Sequence, residues 1–227
     1  MLPTLEEKLL NIQKDMTHLG SKALELNQQM LEILEQGAIA DLKKLKPSSK
    51  REWLAQMAAI DTQVIHIFAL YTPEARDLRQ LIAFLKITNE LDRIINSCRS
   101  FIRDFPYVLS KDIDKDSILE YAIPLQKSSL NAVKNAIALF ETEDKEAVDV
   151  FYKAVVIEEG KSDEFYKIVE KSLFKKINKD IQFSNEYQGA MFALRRLEKI
   201  ADRALSIANL MYYAKVGGEI NQVNLPK

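Results

Sequence analysis

The sequence predicts an all-α protein made of two tandem antiparallel three-helix bundles. Three observations carry this. Six Gly and six Pro in 227 residues are few, and Leu, Ile, Ala, Lys and Glu dominate, which favours helices over Gly/Pro-punctuated strands. Apolar residues recur at alternating steps of four and three over long stretches, the heptad-like seam of packed rods. The helical segments read long-long-long, link, long-long-long, and matching acidic positions recur in the two halves, which points to an internal duplication. Periodicity alone also fits one continuous six-helix bundle. The repeats are placed at 1–108 and 109–220, with a tail at 221–227.

Residues 5 to 34 form the first helix. Leu5, Leu9, Ile12, Met16, Leu19, Ala23, Leu26, Met30 and Ile33 keep the spacing without a break. Thr4 is placed to cap it with Glu7 as reciprocal partner, and Gly37 stands just past its end, where a left-handed residue is wanted. Ala38 to Lys46 reads as helix until Pro47-Ser48-Ser49 breaks it, because proline lacks the amide donor and crowds the preceding turn. Ser48 or Ser49 then caps a renewed helix from about Lys50 to Leu70. Tyr71-Thr72-Pro73 makes the next turn, with Thr72 as cap and Pro73 in the first helical position. The third helix reaches about Arg103, where Asp104-Phe105-Pro106 ends it and Ser110-Lys111-Asp112 continues a polar link.

The fourth helix begins near Ser117. Its seam is Ile118, Ala122, Leu125, Ser129, Ala132, Ala136 and Leu139, with a kink expected at Pro124. The fifth spans about Lys145 to Lys171, and Phe174 to Ser184 is a looser connection. The sixth, from Gly189 towards Glu219, carries Ala190, Leu194, Leu197, Ala201, Ala204, Ala208 and Met211 on its seam. A frayed tail is expected from Gly217.

The charge balance excludes some functions. With 32 basic against 33 acidic residues, the chain lacks the excess that drives nucleic-acid binding through counterion release. The single cysteine, Cys98, makes neither an intramolecular disulfide nor a thiolate metal site, and reads as a buried small side chain. The acidic, amphipathic start is unlike a signal peptide, and the apolar run Val64 to Tyr71 falls far short of the roughly 20 residues that span a bilayer. The expectation is a cytoplasmic protein. His18 and His66 have no glutamate three residues before them, so the Glu-x-x-His motifs of di-iron bundles are absent. His66, inside an apolar run, reads as a core or boundary histidine. No Gly-rich phosphate loop and no nucleophile-plus-base pattern is present, so nothing argues for catalysis.

The chemically unusual feature is acidic. Glu159 and Asp163 lie one turn apart on the fifth helix, and Glu198 and Asp202 lie one turn apart on the sixth, so each pair shares a face. In the first half the corresponding positions are Met57 and Asp61, then Asp92 and Asn96. Asp61 to Asp163 is an offset of 102 and Asp92 to Glu198 an offset of 106; the difference falls in a connection, where a duplication tolerates an insertion. Adjacent antiparallel helices bring four carboxylates to one bundle surface, and their repulsion is relieved by a multivalent cation. Carboxylate-only ligation favours Mg²⁺, Mn²⁺, Ca²⁺ or ferric iron over zinc. The competing reading is a solvated acidic face paired with lysines and arginines on neighbouring turns, such as Arg195 and Arg203.

Several runs resemble the PhoU family of phosphate-uptake regulators. They are Ala59-Ile60-Asp61, Ile67 through Arg79 with its Pro-x-Ala-x-Asp-Leu-Arg motif, Leu85-Lys86-Ile87 and Glu90-Leu91-Asp92-Arg93-Ile94. In the second half they are Glu159-x-x-x-Asp163-Glu164-Phe165-Tyr166, Arg195 through Ala204 with Leu-Glu-x-Ile-Ala-Asp, Tyr212-Tyr213 and Gly217-Gly218-Glu219. The resemblance implies two three-helix bundles, each with an E(D)xxxD metal motif, and a bound multivalent metal such as iron, manganese, magnesium or zinc. It implies a negative regulator of phosphate uptake and phosphate-starvation signalling, joining the phosphate ABC-transporter ATPase to a phosphate-sensing histidine kinase. A homodimer, peripheral to the membrane through its partners and not an enzyme, is expected. Carried over by position, Glu159, Asp163, Glu198 and Asp202 keep the metal motif. Asp61 and Asp92 remain in the first repeat, where Met57 and Asn96 replace acids, so its site is expected to be weakened or empty. The alternatives are a metal-dependent carboxylate-bundle enzyme or metal store, and a structural helical scaffold without metal.

Overall fold

The computed structural model describes residues 4–109 and 113–218. The polar link Ser110-Lys111-Asp112, Glu219 and the tail 221–227 lie outside the described residues. Six long helices follow in order: α1 Leu5–Glu35, α2 Lys50–Leu70, α3 Ala75–Val108, α4 Lys115–Ala138, α5 Lys145–Lys179 and α6 Ser184–Val216. Two short 3-10 segments, Ile39–Lys44 and Ile181–Phe183, lie in the connections, and no strand occurs among the described residues. The 3-10 segment Ile39–Lys44 stands where the sequence suggested a continuing α-helix.

Local chemistry sets the helix starts. Thr4 and Glu7 close the expected capping box on α1, and Ser49 with Glu52 closes a second on α2. Gly37, at φ +67°, reverses the chain after α1. The start of α3 differs from expectation: Glu74, not Thr72, is the N-cap, it makes no side-chain cap bond, and Ala75 is held at φ +45°. Two helices also outrun their expected ends. α3 continues through Pro106 because Phe105, Pro106, Val108 and Leu109 are all buried, and this burial outweighs the lost hydrogen bond. α5 continues to Lys179, with Leu173 buried and Ile177 packed against the core. α6 begins at Ser184 rather than Gly189, and α4 runs unbroken through Pro124.

Each half is a three-helix bundle in which every helix touches the other two. The halves then meet broadly, α3 against α6 in the most extensive helix contact and α1 against α4, so one hydrophobic core runs through both. α2 and α5 lie away from this junction. Close approach depends on small residues: a Cβ at Gly20 would stand 3.1 Å from Ile137 and Phe140, and one at Gly189 would stand 3.1 Å from Val108. All seven expected seam residues of α6 are buried. Across the junction, the Gln126 amide donates to the Asn27 carbonyl at 2.9 Å and Gln13 donates to the Phe140 carbonyl at 2.7 Å, and within the second half buried Lys215 donates to Glu143 at 2.9 Å.

Candidate metal centre

Glu159 and Asp163 stand one turn apart on α5, and Glu198 and Asp202 one turn apart on α6. Antiparallel packing of α5 on α6 turns both pairs towards each other. Carboxylate oxygens of Glu159, Asp163 and Asp202 all lie within 4.8 Å of one another. Two oxygens on opposite sides of a hard cation are about 4–5 Å apart, so this spacing suits one ion.

Glu198 is the fourth acid and the most enclosed, at 6% exposure. Its Oε1 accepts a hydrogen bond from Lys199 Nζ at 3.1 Å, while Oε2 is buried and meets no hydrogen-bond partner. A buried acceptor left in that state costs about 1–3 kcal/mol. Lys199 also donates to Asp202, so one ammonium bridges the two acids of α6. Of the neighbouring lysines and arginines that the sequence offers as partners, Lys199 takes this role, while the two arginines named as examples turn elsewhere. Arg195 lies over the Tyr166 ring, 5.3 Å from its centroid, and Arg203 reaches Glu90 on α3 at 3.4 Å. Lys199 is one residue from Glu198 and three from Asp202, and only the turned side chain joins both.

The electrostatics agree with crowding. Burial, then the charges of Asp163, Asp202 and Glu198, push the Glu159 carboxyl above its usual range. Burial and the Asp202 charge push Glu198 up, against the pull of Lys199 and Arg195. Burial disfavours the Lys199 ammonium, but the hydrogen bonds to Asp202 and Glu198 outweigh it and raise its pKa. An all-oxygen donor set and an orphaned buried carboxylate oxygen fit a multivalent cation, which would share the acids with the Lys199 ammonium.

The first half is built differently at the same positions. Asp61 accepts a 3.4 Å hydrogen bond from the Thr88 hydroxyl, and burial pushes its carboxyl up. Asp92 Oδ2 accepts from the Asn96 amide at 2.9 Å, and Asp92 Oδ1 is buried without a partner. Arg99 donates to Asn96 Oδ1 at 3.2 Å and to the Ser48 carbonyl at 2.7 Å. Met57 is buried. Asp92 therefore sits in an amide-and-arginine network while Asp61 meets the Thr88 hydroxyl, and among the described residues the three-acid cluster forms in the second half alone. His66, expected at the core or its boundary, is exposed on α2, whereas Cys98 is buried as expected and burial pushes its thiol up to about 12.

The sequence model of the PhoU domain matches residues 125–211, which spans α4 to α6 and all four acids of the cluster. Over its second half the chain carries the PhoU domain, and it is similar to PhoU proteins beyond it. The phosphate-specific transport system accessory protein PhoU of Serratia marcescens is 23% identical over 168 residues, covering 72% of this chain and 65% of that protein. The PhoU of Edwardsiella tarda is 25% identical over 174 residues, covering 73% and 65%. These matches thus span just under two thirds of each relative's length. Among solved structures, the PhoU of Pseudomonas aeruginosa aligns with a TM-score of 0.66 at 20% identity, over 94% of this chain and 96% of its own. The PhoU of Streptococcus pneumoniae aligns at 0.73 with 16% identity, over 95% and 98%. At such identities the structures establish the shared helical PhoU fold.

Proposed function

We propose that this protein is a metal-binding regulatory adaptor that restrains phosphate uptake and phosphate-starvation signalling. In this reading it stands between the ATPase of a phosphate ABC transporter and a phosphate-sensing histidine kinase. It works in the cytoplasm as a homodimer, peripheral to the membrane through its partners, and catalyses nothing itself. The PhoU domain of the second half and relatives named as accessory proteins of phosphate-specific transport support the adaptor role. The observation that carries the metal reading is the convergence of Glu159, Asp163 and Asp202 beside the unpartnered Glu198 oxygen.

Glu159, Asp163 and Asp202 would hold the ion, with Glu198 as the enclosed fourth carboxylate. A bound hard cation would neutralise the cluster and tie α5 to α6. The protein's own contribution is orientation. The Ser129 hydroxyl donates to the Leu197 carbonyl at 2.6 Å, fixing α6 against α4 directly beside Glu198. Lys199 bridges Glu198 and Asp202 and holds the two side chains in line on α6.

Elemental analysis of gently purified protein, beside the Glu198→Ala/Asp202→Ala variant, tests the site. Stoichiometric metal in the parent and its loss in the variant are expected; equal metal in both removes the assignment. Affinity purification with the transporter ATPase and the histidine kinase tests the adaptor role, which fails if neither is retained.

A further inference from the structure

Two features of the first half meet at α2, and neither serves the acidic cluster or the junction of the halves. The first is an uncovered apolar face. Trp53, Met57, Ile60, Val64 and Ile67 point into the core. On the outer side Leu54, Ile65, Phe68 and Leu70 are 43%, 58%, 39% and 72% exposed. Ala55, Ala58, Thr62 and Ala69 lie exposed among them. Over residues 53–70 the one Asp, Glu, Lys or Arg is Asp61, and 28% of the helix's most apolar stretch is buried. By length and composition α2 is apolar enough to cross a membrane, a property hidden from a search for unbroken apolar runs. Its inward side chains are committed to the core, so it lies along the surface of the bundle instead.

The second feature is a run of cations at the head of that helix. Lys43, Lys44, Lys46, Lys50 and Arg51 are all exposed, and residues 43–51 contain no acid. Lys44 pairs with Asp41 at 2.7 Å, and the other four enter no ion pair among the described residues. Arg51, Ala55, Ala58, Thr62, Ile65 and Ala69 follow one another at steps of four and three, so the charge runs directly into the apolar stripe. The carboxylates of Glu52, Asp61 and Asp15, on or against α2, are turned to other partners. They accept from the Ser49 amide at 3.0 Å, the Thr88 hydroxyl at 3.4 Å and the Gln63 amide at 2.7 Å.

The second half supplies an internal control. α5 holds the place in its bundle that α2 holds in the first. At the same offset as the acids, residues 155–172 carry eight charged side chains, and residues 145–153 mix Lys145 and Lys153 with Glu146 and Asp149. The fold therefore requires neither the apolar face nor the one-signed run. Exposed apolar area of this kind marks an interaction surface.

We propose that α2 docks in the plane of an anionic lipid surface. Lys43, Lys46, Lys50 and Arg51 meet the phosphate headgroups, and Leu54, Ile65, Phe68 and Leu70 enter the acyl boundary. A lipid surface answers both features over one continuous plane, because headgroups take the cations and hydrocarbon takes the large apolar side chains. The lysine stems add apolar cover while their ammonium groups reach the headgroups. Self-pairing of the stripe with a second copy answers it less well: it offers the cations no acids and, about its middle, sets Asp61 against its own copy. This direct contact goes beyond the adaptor reading, in which partners bring the protein to the membrane, and rests on neither that reading nor the metal site.

The test is co-sedimentation of the purified full chain with vesicles, without any partner protein. The parent should bind vesicles of equal phosphatidylglycerol and phosphatidylcholine, bind them less at high salt, and ignore pure phosphatidylcholine. Lys43→Gln/Lys46→Gln/Lys50→Gln/Arg51→Gln should weaken binding on the order of 100-fold or more. Lys153→Gln/Lys167→Gln/Lys171→Gln/Lys175→Gln, which removes as many cations from α5, should leave it unchanged. Ile65→Glu/Phe68→Glu should abolish binding with an unchanged circular-dichroism spectrum. Ile65→Cys carrying a polarity-sensitive dye should shift blue on the vesicles and Glu164→Cys on α5 should not, since buried Cys98 takes no label. Failure of the parent to bind, equal binding to pure phosphatidylcholine, or undiminished binding by either α2 variant overturns the proposal. If in that event the light-scattering mass halves from the parent to Ile65→Glu/Phe68→Glu, the face serves a second copy instead. The metal and adaptor readings are scored separately, by metal content and partner retention.

Discussion

On α5 and α6 four carboxylates crowd one surface with a single lysine among them, whereas on α2 and α3 the same positions hold Met57, Asp61, Asp92 and Asn96. The first set leaves an acceptor of Glu198 buried and unsatisfied and raises the Glu159 and Glu198 pKa values. The second set pairs Asp92 with Asn96 and Asn96 with Arg99, although Asp92 Oδ1 is likewise buried without a partner. The outer faces differ in the opposite sense: α5 is charged and solvated where α2 is apolar. One bundle architecture thus carries an acidic cluster in one half and an uncovered apolar helix face in the other. At the corresponding positions the two sets differ by Met57 for Glu159, Asp92 for Glu198 and Asn96 for Asp202.

The comparison breaks most visibly at the acids themselves. Asp163→Ala/Asp202→Ala should abolish stoichiometric metal, a loss on the order of 100-fold or more in affinity, while Asp61→Ala/Asp92→Ala should leave metal content unchanged. Equal loss from both variants would mean that the halves cooperate in one site. Next in size, Met57→Glu/Asn96→Asp restores four acids to the first half. Without metal it should cost about 3 kcal/mol in chemical denaturation, because Met57 is buried and the new charge has no partner. Added manganese should recover that loss and add a second metal equivalent.

A smaller effect follows pH. Glu159 and Glu198 have raised pKa values when folded, so the metal-free folded state binds protons more tightly than the unfolded chain. Their contribution is fully present below the unfolded value of about 4.3 and is lost as pH rises through the raised values. The melting temperature of metal-free protein should therefore climb on acidification towards that value, relative to Glu159→Gln/Glu198→Gln. Asp61 has the same sign, and Asp61→Asn isolates the first half's share.

The smallest contrast is between caps. Thr4 caps the first helix of one half and Asp114 that of the other, and replacing either by Ala should cost about 1 kcal/mol. Only the Asp114 loss should depend on pH. The Lys176 ammonium and the Ser117 hydroxyl and amide hold its carboxyl down at about 2. Its stabilisation is present above the unfolded value of about 3.9 and fades as pH falls towards 2.

Much of this architecture was legible in the residues because helical chemistry is local. The seams of α1, α4 and α6, the Thr4–Glu7 box and the pairing of each acid with its neighbour one turn away all follow from the 3.6-residue period. Boundaries were less legible. Pro106 reads as a stop, but burial of Phe105, Val108 and Leu109 against distant helices carries α3 past it. The start of α3 likewise departs from its Thr72-Pro73 signal, because Glu74 and Ala75 turn the chain instead.

The sequence by itself determined an all-α duplicated bundle and placed two acids on one face of α5 and two on one face of α6. Only the tertiary structure decided that Glu159, Asp163 and Asp202 converge while Glu198 is enclosed against Lys199, and that α2 keeps an apolar face uncovered. The physical reason is that the order of side chains around one helix is set within a few residues of the chain. The distance and facing between helices are set by contacts such as Gly20 on Phe140 and Ser129 on the Leu197 carbonyl, which join residues far apart in sequence.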